Sequence, residues 1–336
     1  MIISRTPFRI SFFGGGTDYP HWYKDHPAAV LSASIDKYCY ISCRLLPPFF
    51  KYKYRIVYTH REEVNKIAHI QHPSVRETLK FINEKRGLHI HHDADLPART
   101  GLGSSSTFTV GLLHALYALR GKIVSKKQLA LEAIHIEQNL IKEYVGSQDQ
   151  TIAAFGGFNK IDFRPENIEV HPITISLEKK DLFSRHIMMY FTGFSRIASD
   201  MARFQIQAIP RKKKELHTMY QFVGEAVKIL NNKRPKFTDF GKLLHENWKL
   251  KKSLTNKIST SYVDNIYETA RRAGAMGGKL LGAGGGGFII FFVKPSKQPK
   301  VREALRKLLY VPVKFEFLGS QIVYFRPDYN FDQDGL

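Results

Sequence analysis

The first stretch with the residue types of a ligand site spans residues 7–19, near the start of the chain. A strand-like segment there leads into glycines and two polar residues, which are Gly14, Gly15, Gly16, Thr17 and Asp18. Glycines let a backbone approach a ligand closely because they carry no side chain. A carboxylate beside such a loop can accept hydrogen bonds from sugar hydroxyls. The alternative is a tight surface turn in which Asp18 caps a helix.

A second glycine-rich stretch begins at Pro97 and opens a predicted helix. Its candidate ligand-binding residues are Arg99, Gly101, Leu102, Gly103, Ser104, Ser105 and Ser106. Backbone N–H groups at the N-terminus of a helix bind anions, and a serine hydroxyl can add a ligand to Mg²⁺. A helix cap needs only one hydroxyl. The three serines and two glycines therefore favour a phosphate-binding loop over a simple cap.

A third stretch contains the spacing G-x-G-x-x-G at Gly282, Gly284 and Gly287. A dinucleotide-binding loop with this spacing follows a strand and opens a helix. Here the glycines lead into an apolar segment, residues 288–293, which is predicted to be a strand, so we reject that interpretation. The P-loop pattern also fails, because its spacing is one residue short and Leu280 stands where that loop has serine or threonine.

The charge of the chain is the most unusual feature of its composition. Its 336 residues include 51 Lys and Arg against 30 Asp and Glu, which gives a net charge of +21. This excess favours acidic partners such as phosphorylated metabolites, nucleotides or nucleic acid, and a basic solvated surface is an equal alternative. Hydrophobic residues make up 43%, so the chain as a whole is not disordered.

The sequence contains no signal for export or for insertion into a membrane. Its longest clear apolar run, at residues 288–293, is far shorter than the roughly 20 residues that cross a bilayer. Residues 1–5 lack the apolar core of a signal peptide. The two cysteines, Cys39 and Cys43, are predicted to be reduced, buried thiols. These features predict a cytoplasmic protein with no membrane partner.

Apolar periodicity and turn signals predict mixed helices and strands in both halves of the chain. In the first half, strands are predicted at residues 2–13, 38–45 and 88–94, and helices at 69–86, 107–119 and from the capping residue Ser125 towards Gly146. After an irregular stretch at 163–174, the second half is predicted to contain strands at 188–192, 288–293, 311–317 and 321–326, and helices at 199–231 (interrupted at Pro210), 238–254, 262–273 and 299–309. This order predicts an α+β ending, an antiparallel sheet backed by helices.

The three glycine-rich stretches, in this order and at these separations, resemble the three motifs of the GHMP kinases. That family includes galactokinase, homoserine kinase, mevalonate kinase and phosphomevalonate kinase, and the resemblance covers roughly residues 5–325. It implies an α+β fold with a domain like the second domain of ribosomal protein S5 at residues 1–180. A ferredoxin-like domain would follow at residues 181–336. ATP and Mg²⁺ would bind between the two domains.

The resemblance also implies roles for individual residues. Asp149, in Gly146-Ser147-Gln148-Asp149-Gln150, would act as the base for the attacking hydroxyl or would orient it. Glu137, twelve residues earlier, would bind Mg²⁺ together with Ser105, and Glu132 and Glu143 are nearby alternatives. Arg9 would lie near the transferring phosphoryl group and Asp18 would bind sugar hydroxyls. The ATP-binding loop would be residues 99–106, and the C-terminal glycine loop would include Gly284, Gly285 and Gly286.

The triple glycine at 14–16 departs from galactokinase, which has larger side chains there, and the added room suggests a bulkier or phosphorylated sugar. The whole pattern is most similar to the D-glycero-D-manno-heptose 7-phosphate kinases. It implies phosphorylation of the anomeric hydroxyl to give the 1,7-bisphosphate in GDP-heptose biosynthesis, which feeds capsule or lipopolysaccharide. Arg196, in a loop after a predicted strand, is a candidate to bind the substrate phosphate, and a plain strand-to-helix turn is the alternative.

Two other functions fit parts of the sequence. A fucokinase-like or other free-sugar 1-kinase would have the same motifs and a substrate without a phosphate. A nucleic-acid-binding protein on a kinase scaffold would explain the charge of +21, but the chain contains no RNA-reading motif and all the catalytic positions are filled. Nucleic acid is therefore not the favoured partner. The sequence leaves the oligomeric state and the residues that contact adenine open.

Overall fold

The computed structural model describes residues 1–98, 100–193 and 198–327. The strands of this part are β1 (Ile2–Phe13), β2 (Ala28–Leu45), β3 (Tyr54–Val57), β4 (Arg61–Val64), β5 (Leu88–Ala94), β6 (Phe158–Phe163), β7 (Ile168–Pro172), β8 (Ile187–Phe191), β9 (Ala275–Leu280), β10 (Phe288–Val293), β11 (Leu309–Val311) and β12 (Gln321–Phe325). The α-helices are α1 (Pro20–Tyr23), α2 (Pro73–Phe81), α3 (Ser104–Leu119), α4 (Lys126–His135), α5 (Gln148–Phe155), α6 (Leu177–Ser184), α7 (Ala198–Ala208), α8 (Lys213–Asn231), α9 (Phe237–Leu254), α10 (Ser261–Ala273) and α11 (Gln298–Ala304).

An eight-stranded sheet forms the first layer, and its main path runs β12-β1-β2-β5-β3-β4. The long strand β2 pairs with β6 through residues 28–33 and with β5 through residues 39–45, while β1 pairs with it along most of its length. Strand β1 is almost entirely buried from Thr6 onwards, because both of its faces are covered. Its polar residues in this stretch, Thr6, Arg9 and Ser11, are therefore buried together with the apolar ones.

Helix α3 lies across this sheet and packs against β1 and β2. Most of its residues are buried on every side, and even the polar residues Ser106, Thr107 and Thr109 are buried in its first two turns. A helix enclosed in this way is held by packing around its whole circumference. The N-terminus of α3 therefore has a fixed position relative to β1. As a result, the serine-rich stretch lies beside the first strand of the chain.

A four-stranded antiparallel sheet with the order β11-β8-β10-β9 forms the second layer, and helices α9 and α10 pack against β9. The contact between α9 and β9 depends on Gly277, because a Cβ there would lie 2.0 Å from the carbonyl oxygen of Gly241. Backbones that approach this closely leave no room for side chains. This close packing fixes the first half of α9 against the strand that leads into the C-terminal glycine stretch.

The last strand differs from the sequence prediction. The segment was expected in the terminal antiparallel sheet, but β12 pairs with β1 in the first sheet, with Gln321 opposite Arg5. That placement of the strand was wrong, because nothing in a short amphipathic segment specifies which sheet edge accepts it. The chain therefore returns to its first strand after completing the second layer. The division at residue 180 stays a prediction, and β12 belongs to the earlier sheet.

Other predicted elements also differ from the structure. The stretch 163–174 was expected to be irregular, yet it contains β7, which pairs with β6. The predicted helix at 69–86 is shortened to α2, which begins at Pro73 and ends at Phe81. The predicted strand at 311–317 is wrong apart from its first residue, because β11 is Leu309–Val311. The break near Pro210, between α7 and α8, is confirmed. Within the described ranges, no helix is long and apolar enough to cross a membrane.

Candidate active site

Residues 100–106, here called the serine loop, connect β5 to α3. Gly101 and Gly103 adopt positive φ angles of 82° and 77°, which favour glycine. Gly103 is the N-cap residue of α3, so none of the three serines occupies that position. Ser104 to Ser106 form the first turn, where helix N–H groups have no partner within the helix. The loop therefore has the geometry of an anion site. Arg99 lies outside the described residues.

The serine loop packs against residues 281–287, here called the C-terminal glycine loop. The N–H group of Phe288 donates to the carbonyl oxygen of Thr100 at 3.0 Å. A Cβ on Gly101 would lie 2.4 Å from the carbonyl oxygen of Leu281. Gly284 and Gly285 contact Ile258 on the other side, with a 3.0 Å hydrogen bond from the Gly285 N–H group. The two glycine-rich segments thus lie together where the two sheets meet.

Arg9 and Asp149 form an ion pair next to the serine loop. The Nε and Nη2 atoms of Arg9 donate to the two carboxylate oxygens of Asp149 at 2.7 and 2.6 Å. Its Nη1 atom donates to the carbonyl oxygen of Gly101 at 2.7 Å. The Arg9 side chain is 4% exposed and that of Asp149 is 23% exposed. A bidentate pair of this kind fixes the orientation of the carboxylate, and Asp149 keeps one side open to solvent.

Strand β1 positions Arg9, and the first turn of α5 positions Asp149. A negative side chain in the first turn is favoured by the helix dipole. Asp149 also lies against the serine loop, since a Cβ on Gly103 would be 3.0 Å from its Oδ2 atom. The structure therefore brings together three predicted site residues that are far apart in the sequence, Arg9, Gly103 and Asp149.

Asp18 ends the loop of residues 14–18, here called the triple-glycine loop. Its side chain is 3% exposed, and its Oδ1 atom accepts a 2.8 Å hydrogen bond from the N–H group of Gly16. Burial raises the pKa of this carboxyl group, and the nearby charge of Asp149 adds to the effect. Ser147 donates its N–H group to the Asp18 carbonyl oxygen at 2.9 Å. Asp18 is therefore a buried carboxylate beside Asp149, not an exposed helix cap.

Glu137 is completely buried in a π-helical turn, Ile136–Leu140, that continues α4. Ser106 Oγ and Thr109 Oγ1 each donate to its carboxylate at 2.8 Å, and Gln150 Nε2 also donates. Burial raises the pKa of Glu137 to about 7. Ser105, which the resemblance pairs with Glu137, has an exposed side chain. The hydroxyl groups that contact Glu137 are thus those of Ser106 and Thr109.

The group around Glu137 has the chemistry of a Mg²⁺ site. It offers carboxylate and hydroxyl oxygens, the hard ligands that Mg²⁺ prefers. The Oε1 atom of Gln150 is buried without a hydrogen-bond partner in the described part of the chain. Among the described residues there is no cluster of three or more His, Cys, Asp or Glu side chains that could hold a metal ion. Magnesium that arrives with phosphate oxygens and water needs only one or two protein ligands.

Two buried lysines of this site were not predicted from the sequence. Lys251, near the end of α9, is 5% exposed and donates to the carbonyl oxygen of Gly282 at 2.8 Å. Lys279, on β9, is 1% exposed and donates to the carbonyl oxygen of Phe12 at 3.3 Å. Burial lowers the pKa of Lys251 to about 8, while the charge of Asp18 opposes that change. Burial also lowers the pKa of Lys279.

A sequence signal for Lys251 exists in the periodicity of α9. Leu244, Trp248 and Lys251 follow the helical repeat of its buried face, and all three are buried. A lysine on an apolar face is rarely buried without a charged partner. The position of Lys251 in the repeat therefore indicates a candidate site residue. The substrate residue that was predicted in this half, Arg196, lies outside the described residues. Its neighbour Thr192 does contact the C-terminal glycine loop, since its N–H group donates to Gly287 at 2.8 Å.

Comparison with known proteins finds two family models along the chain. The GHMP kinases N terminal domain matches residues 72–157, and the GHMP kinases C terminal model matches residues 227–311. The D-glycero-alpha-D-manno-heptose 7-phosphate kinase of Campylobacter jejuni is 28% identical over 322 residues, which are 91% of this chain and 93% of that protein. The mevalonate kinase of Pyrococcus abyssi is 26% identical over 247 residues, 71% of this chain and 69% of that protein.

Solved structures agree on the fold. The crystal structure of a D-glycero-D-manno-heptose 1-phosphate kinase from Bacteroides thetaiotaomicron superposes with a TM-score of 0.78 at 23% identity, covering 97% of this chain and all of that one. The prediction of an α+β GHMP kinase fold is confirmed by this similarity and by the two family models. The serine loop, the Arg9–Asp149 pair and these matches lead to one conclusion: the chain belongs to the GHMP kinases and is an ATP-dependent kinase.

Proposed function

We propose that this kinase phosphorylates the anomeric hydroxyl of a sugar phosphate, D-glycero-D-manno-heptose 7-phosphate, to give the 1,7-bisphosphate. The relative from Campylobacter jejuni carries that substrate in its name and aligns over 91% of this chain, whereas the Pyrococcus mevalonate kinase aligns over 71%. The net charge of +21 suits two substrates that both carry phosphate.

The observation that carries the proposal is the Arg9–Asp149 pair beside the serine loop. Asp149 keeps a solvent-facing side and is held at 2.6 and 2.7 Å by Arg9. A carboxylate in this position accepts the proton of the attacking hydroxyl or holds that hydroxyl in line. The guanidinium group is suited to spreading the charge that develops on the transferred phosphoryl group.

ATP phosphates would be bound by the N–H groups and hydroxyls at the start of α3, including those of Ser104 and Ser105. Mg²⁺ would be held by Glu137 with a serine hydroxyl of the serine loop. When bound, the ion neutralises phosphate charge and orients the γ-phosphoryl group. Glu137 is fixed for this role because Ser106, Thr109 and Gln150 all donate to it.

The acceptor sugar would lie against the triple-glycine loop. Asp18 is buried there with its Oδ1 atom bonded to Gly16 and its Oδ2 atom against Gly146, and Oδ2 would accept from a sugar hydroxyl. Arg196 stays a candidate for the substrate phosphate. In this proposal the enzyme works in the cytoplasm and supplies GDP-heptose biosynthesis for capsule or lipopolysaccharide. Both cysteines are free thiols in the core.

The proposal is tested by measuring ADP release with MgATP and a panel of acceptors. The panel contains D-glycero-D-manno-heptose 7-phosphate, the 1-phosphate, unphosphorylated heptose, L-fucose, galactose and mevalonate. We expect turnover with the 7-phosphate at least about 10²-fold above the others in kcat/KM, because a site that binds a phosphate rejects analogues without it. Turnover of a free sugar instead would establish a fucokinase-like 1-kinase. Salt-sensitive RNA binding without any turnover would favour a nucleic-acid-binding protein.

A second prediction concerns the wall that supports Asp18. A Cβ on Gly146 would lie 1.9 Å from the Oδ2 atom of Asp18, so Gly146→Ala displaces that carboxylate. We expect the KM for the acceptor to rise about 10-fold or more, because small displacements of binding groups are costly. The KM for MgATP should stay within about twofold, since Asp18 lies on the acceptor side.

Gly224→Ala is the matched control for this substitution. Gly224 lies within α8, where a Cβ meets nothing within 4 Å. Alanine in a helix interior is favoured over glycine by about 0.5–1 kcal/mol, so this variant should retain both KM values and unfold at an equal or higher temperature. Equal KM values in the Gly146 and Gly224 variants would contradict a role for Asp18 in acceptor binding.

A further inference from the structure

The three glycines of the triple-glycine loop are not equivalent. Gly14 has a φ of +79° and a Cβ there would lie 1.9 Å from the carbonyl oxygen of Ala29. Gly16 has a φ of +114°, which other residues rarely adopt. Gly15 has neither constraint, because its φ lies outside the left-handed region and its Cβ would make only ordinary contacts. The fold therefore requires Gly14 and Gly16 but would accept alanine at position 15.

The space beside Gly15 is bordered by three polar side chains. A Cβ on Gly15 would lie 3.7 Å from Ser11 Oγ and 3.8 Å from both Gln148 Nε2 and Lys251 Nζ. These side chains come from β1, α5 and α9, so both layers of the molecule contribute. All three residues are at least nine-tenths buried. A group of buried polar side chains from separate elements, facing one glycine, has the character of a built site rather than a surface feature.

These polar atoms are incompletely paired. Ser11 Oγ and Gln148 Oε1 are buried without a hydrogen-bond partner in the described part of the chain. Lys251 Nζ donates to the carbonyl oxygen of Gly282, and an ammonium group has three donors. Buried polar atoms are nearly always hydrogen-bonded in folded proteins. An unpartnered hydroxyl, an amide group whose oxygen is unpartnered and an ammonium group around one glycine therefore point to a ligand atom at this place.

We propose that Lys251, Ser11 and Gln148 form a hydroxyl-binding subsite beside Gly15, and that the missing side chain of Gly15 admits one hydroxyl of the acceptor. This rests on the proposed function. The two nitrogen atoms that face Gly15, Lys251 Nζ and Gln148 Nε2, only donate, whereas a hydroxyl both accepts and donates. The oxygen of a sugar hydroxyl therefore accepts from Lys251 and Gln148, and its proton is donated to the unpartnered Ser11 Oγ. The adjacent carboxylate of Asp18 makes this subsite part of the acceptor site rather than of the nucleotide site.

The subsite also explains why a lysine lies on the buried face of α9. Lys251 ties the C-terminal glycine loop to the triple-glycine loop, since it donates to Gly282 and approaches Gly15. Its charge faces the carboxylates of Asp18 and Asp149, with Arg9 as the nearby like charge. In this arrangement Lys251 determines which acceptor fits and positions it, and it does not take part in proton transfer.

The test compares Gly15→Ala and Lys251→Met with the wild-type enzyme, using the acceptor of the panel that the wild type turns over fastest. The measurements are the KM for that acceptor, the KM for MgATP and the unfolding temperature. We expect Gly15→Ala to raise the acceptor KM about 10-fold or more, with the MgATP KM within about twofold and an unchanged unfolding temperature. Lys251→Met should shift the acceptor KM in the same direction.

Lys252→Met is the matched control, because Lys252 follows Lys251 on α9 but is 32% exposed and paired with Asp264. It should leave both KM values unchanged. An acceptor KM within about twofold of wild type in Gly15→Ala would overturn the subsite, since a methyl group would then occupy a space that no acceptor atom uses. A rise of both KM values together would overturn it as well. If Lys251→Met fails to fold, Gly15→Ala decides.

Failure of the proposed function gives a different pattern. Should the wild type turn over a free sugar and not the heptose 7-phosphate, the substrate assignment falls, and the variants then test the subsite with that sugar. Should the wild type turn over no sugar, and calorimetry detect no binding of D-glycero-D-manno-heptose 7-phosphate, both proposals fall. Selective loss of acceptor affinity in the two variants, with any sugar, supports the subsite.

Discussion

Asp149→Asn is expected to lower kcat by about 10³-fold, within the range that loss of a general acid–base group produces. The amide cannot accept the proton of the attacking hydroxyl, and it also loses one of the two charged hydrogen bonds with Arg9. The KM for MgATP should remain within about threefold, because the N–H groups of the serine loop that would bind phosphate are unchanged. Single-turnover measurements of phosphoryl transfer at saturating acceptor check this directly.

Asp162→Asn is the matched control for Asp149→Asn. Asp162 is also a partly buried aspartate, 16% exposed, and its carboxylate accepts from Lys160 at 2.8 Å. It lies on β6, away from the serine loop, so its replacement should change kcat by less than about twofold. A kcat in Asp149→Asn within tenfold of wild type would show that Asp149 neither removes the proton nor positions the hydroxyl.

Glu137→Gln is expected to have opposite effects on activity and on stability. Without the carboxylate charge, Mg²⁺ would lose its proposed carboxylate ligand, and kcat/KM for MgATP should fall by about 10²-fold or more. The unliganded protein, by contrast, should become more stable at pH 8. Burial raises the pKa of Glu137 to about 7, so at pH 8 the folded protein holds a buried charge that glutamine removes.

The sign of the stability effect follows from proton linkage. Between the ordinary pKa of 4.5 and the folded pKa of about 7, folded Glu137 keeps a proton that the unfolded chain releases. The free energy of unfolding therefore decreases as the pH rises through this window, by up to about 3 kcal/mol. Denaturant unfolding of the metal-free protein at pH 4.5 and pH 8 should show this decrease in the wild type and a smaller one in Glu137→Gln.

Glu84→Gln is the control with the opposite sign. Burial disfavours the charge of Glu84, but hydrogen bonds and charge from Arg86, with Arg120, outweigh burial and lower its pKa to about 2. Its stabilising effect is complete above pH 4.5 and is lost as the pH falls towards 2. Glu84→Gln should therefore lower the free energy of unfolding at pH 8 by about 3 kcal/mol and leave activity unchanged. Destabilisation in both variants would contradict the account of Glu137.

Much of the site could be predicted from the sequence because its loops have local signatures. Glycines followed by Thr17 and Asp18, and a glycine–serine run that opens a helix, are recognisable whatever their surroundings. The residues that the family pattern places near the chemistry, Arg9 and Asp149, do lie beside the serine loop. The contact between them joins residues 140 positions apart, so the pattern names both residues but contains nothing about the distance between them.

Other parts of the site depend on packing that no local pattern records. Ser106 rather than Ser105 contacts Glu137, because α3 turns its third serine towards the core. In the sequence, Lys251 resembles the other lysines of a basic helix. Its amine lies beside Gly15 only because α9 packs on β9. The pairing of β12 with β1 is likewise a choice among sheet edges. Such features are set by contacts between elements distant in sequence.

The sequence by itself determined the family, the α+β class and the three glycine-rich loops, and it named the residues proposed to lie near phosphoryl transfer. It could do so because these depend on residue types at short spacing, which backbone geometry and hydrogen-bonding chemistry constrain directly. Only the tertiary structure decided which hydroxyls donate to Glu137 and which lysines lie in the site. It also decided which glycine of residues 14–16 the fold would allow to be replaced by alanine. Burial and unpaired polar atoms exist only after the two sheets and their helices have packed together.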